Sequence, residues 1–253
     1  MVEKINKTKN TLQKAFNDYN YFTFIRIGDG DLILMKGQSK EQRHKNSPEL
    51  KKELKESVEI VNEKYIVSST AGTFEDGSGS YFWLPNKLRK SMDSTVTSNL
   101  KKFRPSGTEY HALVFQYCFE HEPEWFVEFF RKNLKDKKVL FIGGQPLCNK
   151  DLVNKVFNVS DTISFPGVSN AYYELDKKMD LINKKAEKSD VIIPCIGMAT
   201  RVLAKRFWKQ NNKKIVLDVG VAVDALAEAK HRGWTRRMVN KGFVGRIKGC
   251  VYE

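Results

Sequence analysis

The sequence predicts an α/β protein, a Rossmann-like parallel sheet flanked by helices with an N-terminal α/β portion packed onto it. Three observations carry that expectation. Short apolar runs recur in the second half of the chain and stop at glycine: Val139–Ile142 before Gly143-Gly144, Val191–Ile196 before Gly197, and Ile215–Val219 before Gly220. Segments with helical spacing separate these runs, and strands joined through helices pair in parallel. The 253 residues contain no internal repeat and no low-complexity linker, which suits a single domain over 1–253.

Each element has its own justification. Phe22–Ile27 alternates as a strand and runs into Gly28-Asp29-Gly30-Asp31, read as a tight turn, before apolar residues resume at Leu32–Met35. A helix is expected over 47–64, with Ser47 as N-cap, Pro48 at the first position, and Leu50, Leu54, Val58 and Val61 on one face. A strand at Tyr65–Ser68, a Gly/Ser loop at Gly72–Ser80 and helices at Trp83–Phe103 and His111–Asn133 complete the first half. In the second half, strands at 138–144, 162–165, 190–196 and 214–219 alternate with helices at 149–157, 172–188 and 200–210.

Composition narrows the class. Lys and Arg number 44 against 30 Asp and Glu, a net charge of +14 that favours partners carrying phosphate. The first residues lack the apolar core of a secretory signal, and no apolar run approaches the ~20 residues of a membrane helix. Cys118, Cys148, Cys195 and Cys250 lie far apart with no CxxC pair, which predicts neither disulfide nor zinc and a cytoplasmic location. His44, His111, His121 and His231 fall on separate elements and read as structural or exposed, and Glu120-His121-Glu122 as a solvated helix end.

Several segments carry possible chemistry. In Arg26-Ile27-Gly28-Asp29-Gly30-Asp31, two carboxylates two residues apart converge on one hard divalent cation if the backbone turns, and glycine permits the turn. Arg26 stands near enough to contact the phosphates such a metal binds. A plain surface turn also fits, since Gly and Asp dominate turns. Glycines at strand ends mark where α/β sheets bind ligands, although glycine also serves there as punctuation. In the turn Ile196–Thr200, Thr200 either caps the helix or meets a phosphate. After the strand ending at Phe165, Asn170 either contacts a nucleobase or sugar hydroxyl or caps a helix. Gly143-Gly144-Gln145-Pro146 lacks the GxGxxG pattern, and Pro146 removes an amide, which disfavours a dinucleotide or Walker-type cradle. From Ala229 to Tyr252 no acidic residue occurs, while Lys230, Arg232, Arg236, Arg237, Lys241, Arg246 and Lys248 accumulate around Trp234 and Phe243. That stretch suits a phosphate backbone or an anionic acceptor, and equally a solvated basic face.

In order, these segments resemble the GT-D-type glycosyltransferases. Phe24-Ile25-Arg26-Ile27-Gly28-Asp29-Gly30-Asp31 is similar to that family's F-x-R-x-G-D-G-E. Gln42 with Asn46–Leu50, Val139–Gly144, Pro166 with Asn170-Ala171, Ile196–Ala204 and Leu217-Asp218-Val219-Gly220 resemble its later motifs. The likeness spans about residues 20–227 and leaves 228–253 as a basic C-terminal extension. It implies a metal-dependent transferase, hexosyl or pentosyl, that uses a nucleotide-diphosphate sugar, chiefly a UDP-sugar. The implied acceptor is a glycan, glycoprotein or glycolipid, and nucleic acid is not an expected partner.

By the same resemblance Asp29 and Asp31 are the metal ligands, for Mn²⁺ or Mg²⁺, and Asp31 stands where the family carries Glu. Asp29, Asp31 and Asp224 are the catalytic candidates. Arg26, Gly28, Gly30, Pro166, Asn170, Gly197, Thr200, Asp218 and Gly220 are the candidates for the nucleotide sugar. Some relatives carry His after the aspartate-glycine motif; here Val221–Asp224 takes that place, with Asp224 a candidate substitute. The acceptor's base is open among Asp218, Asp224 and Glu174. Two other classes compete: a Rossmann-like methyltransferase or nucleotide-binding enzyme using Phe141–Gly144, and a nucleic-acid-binding module carried by the positive charge.

Overall fold

The computed structural model describes residues 2–36, 47–69, 98–148, 150–167, 170–229 and 233–252. The loop expected at Gly72–Ser80, most of the helix expected at Trp83–Phe103, and Gln42, His44, Asn46, Lys230, His231 and Arg232 lie outside them. Six strands, β1 (Thr23–Ile27), β2 (Tyr65–Ser69), β3 (Val139–Gly144), β4 (Val159–Phe165), β5 (Val191–Cys195) and β6 (Ile215–Leu217), form one sheet. Their order is β2-β1-β6-β5-β3-β4, and every pairing is parallel. The N-terminal portion therefore joins the rest by completing the sheet: β1 lies between β2 and β6, with Phe24 opposite Leu217.

The first half contributes helices α1 (Val2–Asp18), α2 (Asp29–Met35), α3 (Pro48–Glu59), α4 (Val114–His121) and α5 (Pro123–Leu134). The second contributes α6 (Gln145–Cys148), α7 (Asp151–Phe157), α8 (Ala171–Glu187), α9 (Ala199–Lys209), α10 (Ala222–Leu226), α11 (Gly233–Asn240) and α12 (Phe243–Tyr252). Successive strand side chains point to opposite faces. Phe24, Phe141, Ile193 and Leu217 join one core with α1, α4–α7 and α10–α12. Ile25, Leu140, Ile142, Ile192 and Val216 join a second core with α2, α3, α8 and α9. The first core is aromatic: Phe130 meets Phe157 edge-on with ring centroids 4.7 Å apart, and Phe115 meets Phe24 at 5.9 Å.

Four expectations are corrected. Gly28–Asp31 is not a free turn, because Asp29 opens α2 and Asp31, at its third position, accepts the Gly28 N–H at 2.9 Å. Acidic groups in a first turn favour the helix they open. The helix from Ser47 stops at Glu59, where Arg104 Nη1 donates to the Val58 and Ile60 carbonyls at 2.8 and 2.7 Å. Val61 then falls beyond the helix and is 79% exposed. The run expected over His111–Asn133 breaks at Pro123, which lacks an N–H and starts a new helix.

The fourth correction is the basic C-terminal stretch, whose aromatics form no stacking platform. Trp234 is buried against Phe119, and Glu120 accepts from Arg237 Nη2 at 2.7 Å and from Trp234 Nε1 at 3.3 Å. Arg246 Nη1 adds a bond to the Glu120 carbonyl. Glu120 is thus a buried anchor for α11 and α12 and not part of a solvated helix end.

Candidate functional site

The carboxyl ends of three adjacent inner strands, β1, β6 and β5, bring charged side chains together below the surface. Arg26, on β1, is buried and points toward the loop after β6. Its Nε donates to Asp218 Oδ1 at 3.1 Å, its backbone N–H reaches Asp218 Oδ2 at 3.3 Å, and its Nη1 donates to the Ala112 carbonyl at 3.2 Å. Gly220 follows Asp218 by two residues at φ +65°, and a Cβ there would stand 1.4 Å from Arg26 Nη2. Only glycine supplies both that backbone geometry and that space.

A second arginine, Arg201 in the first turn of α9, ties the strand ends together. Its Nε donates to the Arg26 carbonyl at 2.6 Å and its Nη1 to the Gly197 carbonyl at 2.7 Å. Its Nη2 stands 3.2 Å from Asp31 Oδ2, and its Nη1 3.7 Å from Asp218 Oδ2. Burial works against the Arg201 charge, yet Asp31 and Asp218 outweigh it and raise the guanidinium's pKa. Asp31 is 4% exposed, and while its Oδ2 takes Gly28 and Arg201, its Oδ1 is buried with no hydrogen-bond partner.

Other predicted site residues take different places. Arg26 directs its Nε and Nη1 inward, to Asp218 and Ala112, where a phosphate contact was expected. Thr200 Oγ1 accepts from the Ile196 N–H and donates to the Pro194 carbonyl, fastening the β5-to-α9 turn to itself. Gly197, at φ +63°, makes that turn possible. Asp29 and Gly30 lie half-buried in the first turn of α2, and Asp224 half-buried in the first turn of α10. Pro166 and Asn170 are exposed beyond β4, at the sheet edge, with β3 between them and β5. The Asn170 side chain makes no capping bond. Glu174, on the same helix, pairs with Lys177 at 3.0 Å.

Sequence reasoning missed two members of the cluster. Arg201 carries a signal in retrospect: Ala199-Thr200-Arg201-Val202-Leu203-Ala204 contains no other charge and no polar face, so its arginine has to find partners inside. Cys195, half-buried at the end of β5, carries none. Burial and the nearby Asp218 and Asp224 carboxylates hold its thiol protonated, well above the ordinary thiol range. Among the described residues, no group of three or more His, Cys, Asp or Glu side chains forms a ready-made metal cage, and no helix is long and apolar enough to cross a membrane.

The all-parallel sheet makes this an α/β protein of Rossmann-like build, a class whose ligands bind outside the carboxyl ends of the strands, where the charged cluster lies. Residues 24–241 match the family described as glycosyltransferase GT-D fold, and the chain belongs to that family, whose class of activity is glycosyl transfer.

Solved structures share the fold. "A New Glycosyltransferase (DUF1792) from Streptococcus sanguinis" superposes with a TM-score of 0.65 at 16% identity, covering 95% of this chain and 84% of its own. A structure described as "The highly conserved domain of unknown function 1792 has a distinct glycosyltransferase fold" gives the same TM-score and identity, with 95% and 81% coverage. No curated protein matches the chain.

Proposed function

We propose that the chain moves a sugar from a nucleoside-diphosphate sugar, of the UDP class, to a hydroxyl of a glycan, glycoprotein or glycolipid, with a divalent cation at Asp29 and Asp31. The observation that carries this reading is the unpartnered Asp31 Oδ1, buried at the opening of α2 beside a guanidinium-rich cluster. A buried carboxylate oxygen without a donor calls for a ligand. Carboxylate oxygens suit Mg²⁺ or Mn²⁺, which complete their shells with phosphate oxygens; Asp31 would hold the ion through its Oδ1, and Asp29, two residues earlier in α2, would approach it from another side of the helix. When bound, such an ion supplies neutralisation of the charge that develops on the departing diphosphate.

The chain's own residues divide the remaining work. Helix α9 opens at Met198 and Ala199 with no side-chain cap, and a helix N-terminus favours anions, while the Thr200 and Arg201 amides bond the Gly197 and Met198 carbonyls. Arg26 acts from beneath by fixing Asp218 and the loop that carries Gly220. Asp218 is committed to two arginines, and Glu174 stands near the β4 edge with Lys177. Asp224, half-buried beside Cys195, is therefore our choice for the group that takes the acceptor hydroxyl's proton.

The test is thermal unfolding with UDP and a panel of UDP-sugars, each with and without Mn²⁺. A ligand at about a hundredfold excess over its Kd should raise the midpoint by roughly 5 °C or more, only when both are present. Asp31→Ala should abolish the rise. An unchanged midpoint with every nucleotide sugar would overturn the reading.

A further inference from the structure

Within the cluster, charges cancel in pairs before any ligand enters. Asp31 and Asp218 are both at most 4% exposed, and Arg26 and Arg201 stand against them, two negative charges beside two positive ones. Arg201 is the shared member. It contacts both carboxylates, and its Nε and Nη1 are also anchored on the Arg26 and Gly197 carbonyls. Four contacts from four segments of the chain hold it in place, so it does not swing aside as a surface arginine would. The one atom left over is Asp31 Oδ1, buried and without a hydrogen-bond partner.

We propose that Arg201 is a resident cation that suppresses divalent-metal binding at Asp31 until an anionic ligand arrives. Resting on the donor reading above, this makes metal and diphosphate coupled ligands. The physical argument is electrostatic. A divalent ion at the unpartnered Asp31 oxygen meets a carboxylate whose charge a guanidinium 3.2 Å away already balances. Like charges repel strongly in a buried site, so the metal alone gains little. A diphosphate brings negative charge that offsets both cations, and each ligand then strengthens the other by the same factor. Arg201 is thus a positioning residue: it orients Asp31 through Oδ2 and sets the order in which ligands are taken up.

The test is Mn²⁺ titration of the full chain, read from the electron paramagnetic resonance signal of unbound Mn²⁺, with and without UDP. The wild type should bind Mn²⁺ roughly tenfold or more tightly with UDP than without. Arg201→Gln should bind Mn²⁺ alone roughly tenfold or more tightly than the wild type does, and UDP should then add little. Loss of a merely structural arginine would leave Mn²⁺ affinity unchanged or weaker, and that result would overturn the proposal. If Arg201→Gln does not fold, the comparison is made in an Asp218→Asn background, where the double variant keeps one buried carboxylate and one guanidinium instead of two carboxylates against one guanidinium. There, adding Arg201→Gln should again tighten Mn²⁺ binding, and no gain overturns the proposal. Failure of the wild type to bind Mn²⁺ even with UDP would overturn the donor reading, whereas the role of Arg201 is decided by the variants without nucleotide.

Discussion

Helix α9 carries two ion clusters one turn apart, and they differ in what they leave unsatisfied. At its start, Arg201 binds Asp31 and Asp218 inside the protein, and one carboxylate oxygen remains without a partner. One turn on, Lys205 meets Glu53 and Glu56 at 2.8 Å each, and Arg206 holds Glu53 and Asp176. Tyr172 donates its hydroxyl to Glu53 as well. Burial opposes the Glu53 charge, but hydrogen bonds from Arg206 and Lys205 overcome it and hold the carboxyl at about 2. The outer cluster has more pairs and fastens α3 and α8 to α9. The inner one has fewer and lies at the strand ends. The outer cluster is thus the denser in ion pairs, and the inner one, where we place the donor, is the one with a carboxylate oxygen left unmet.

Breaking the inner cluster should cost most. Asp218→Ala removes the partner of Arg26 and of Arg201 and leaves buried charge, which should lower unfolding stability by about 3–5 kcal/mol in denaturant titrations. Acid separates the clusters next. His111 lies beside Ala112, whose carbonyl holds Arg26, and its Nδ1 accepts the Leu113 N–H at 3.2 Å. Burial, then the charges of Lys4 and the N-terminus, push its pKa from 6.5 down to about 3. The folded state therefore binds its proton less readily than the unfolded chain, so stability is present above about 6.5 and is lost as pH falls toward about 3. His111→Asn should flatten that loss by about 1–2 kcal/mol at pH 5, measured by unfolding across pH. The outer cluster resists acid longer, because Glu53, with a depressed folded pKa, gives up its contribution only as pH falls from 4.5 toward about 2. Glu53→Gln should cost about 1–2 kcal/mol at neutral pH and leave the Mn²⁺ and UDP responses unchanged in the same titrations.

Much of this architecture was legible in the sequence, and the exceptions have physical causes. Glycines closing apolar runs located β3, β5 and β6, because a parallel strand must turn sharply into its helix. Pro123 was present to be read, yet the apolar spacing on both sides of it suggested one helix where the missing N–H makes two. Val61 extended the stripe of α3 only while the helix was assumed to continue; Arg104, distant in sequence, takes the carbonyls that end it. In the site, Arg26, Asp31, Asp218 and Gly220 stood in recognisable motifs. Their mutual arrangement was hidden, because Arg26 and Asp218 meet across 192 residues. Arg201 escaped notice because arginine on a helix ordinarily faces water.

That separation has a consequence for how the protein is made. Strand β1 is made before β2 and can pair with it soon afterwards, but its other edge waits for β6. At about 5–20 residues per second, the interval between Arg26 and Asp218 occupies roughly 10–40 s of synthesis. Throughout it the nascent chain carries an open strand edge and an arginine without its carboxylate. The charged cluster is assembled only after Asp218 has been made, and translation products that stop before it, however much of the sheet they contain, have none.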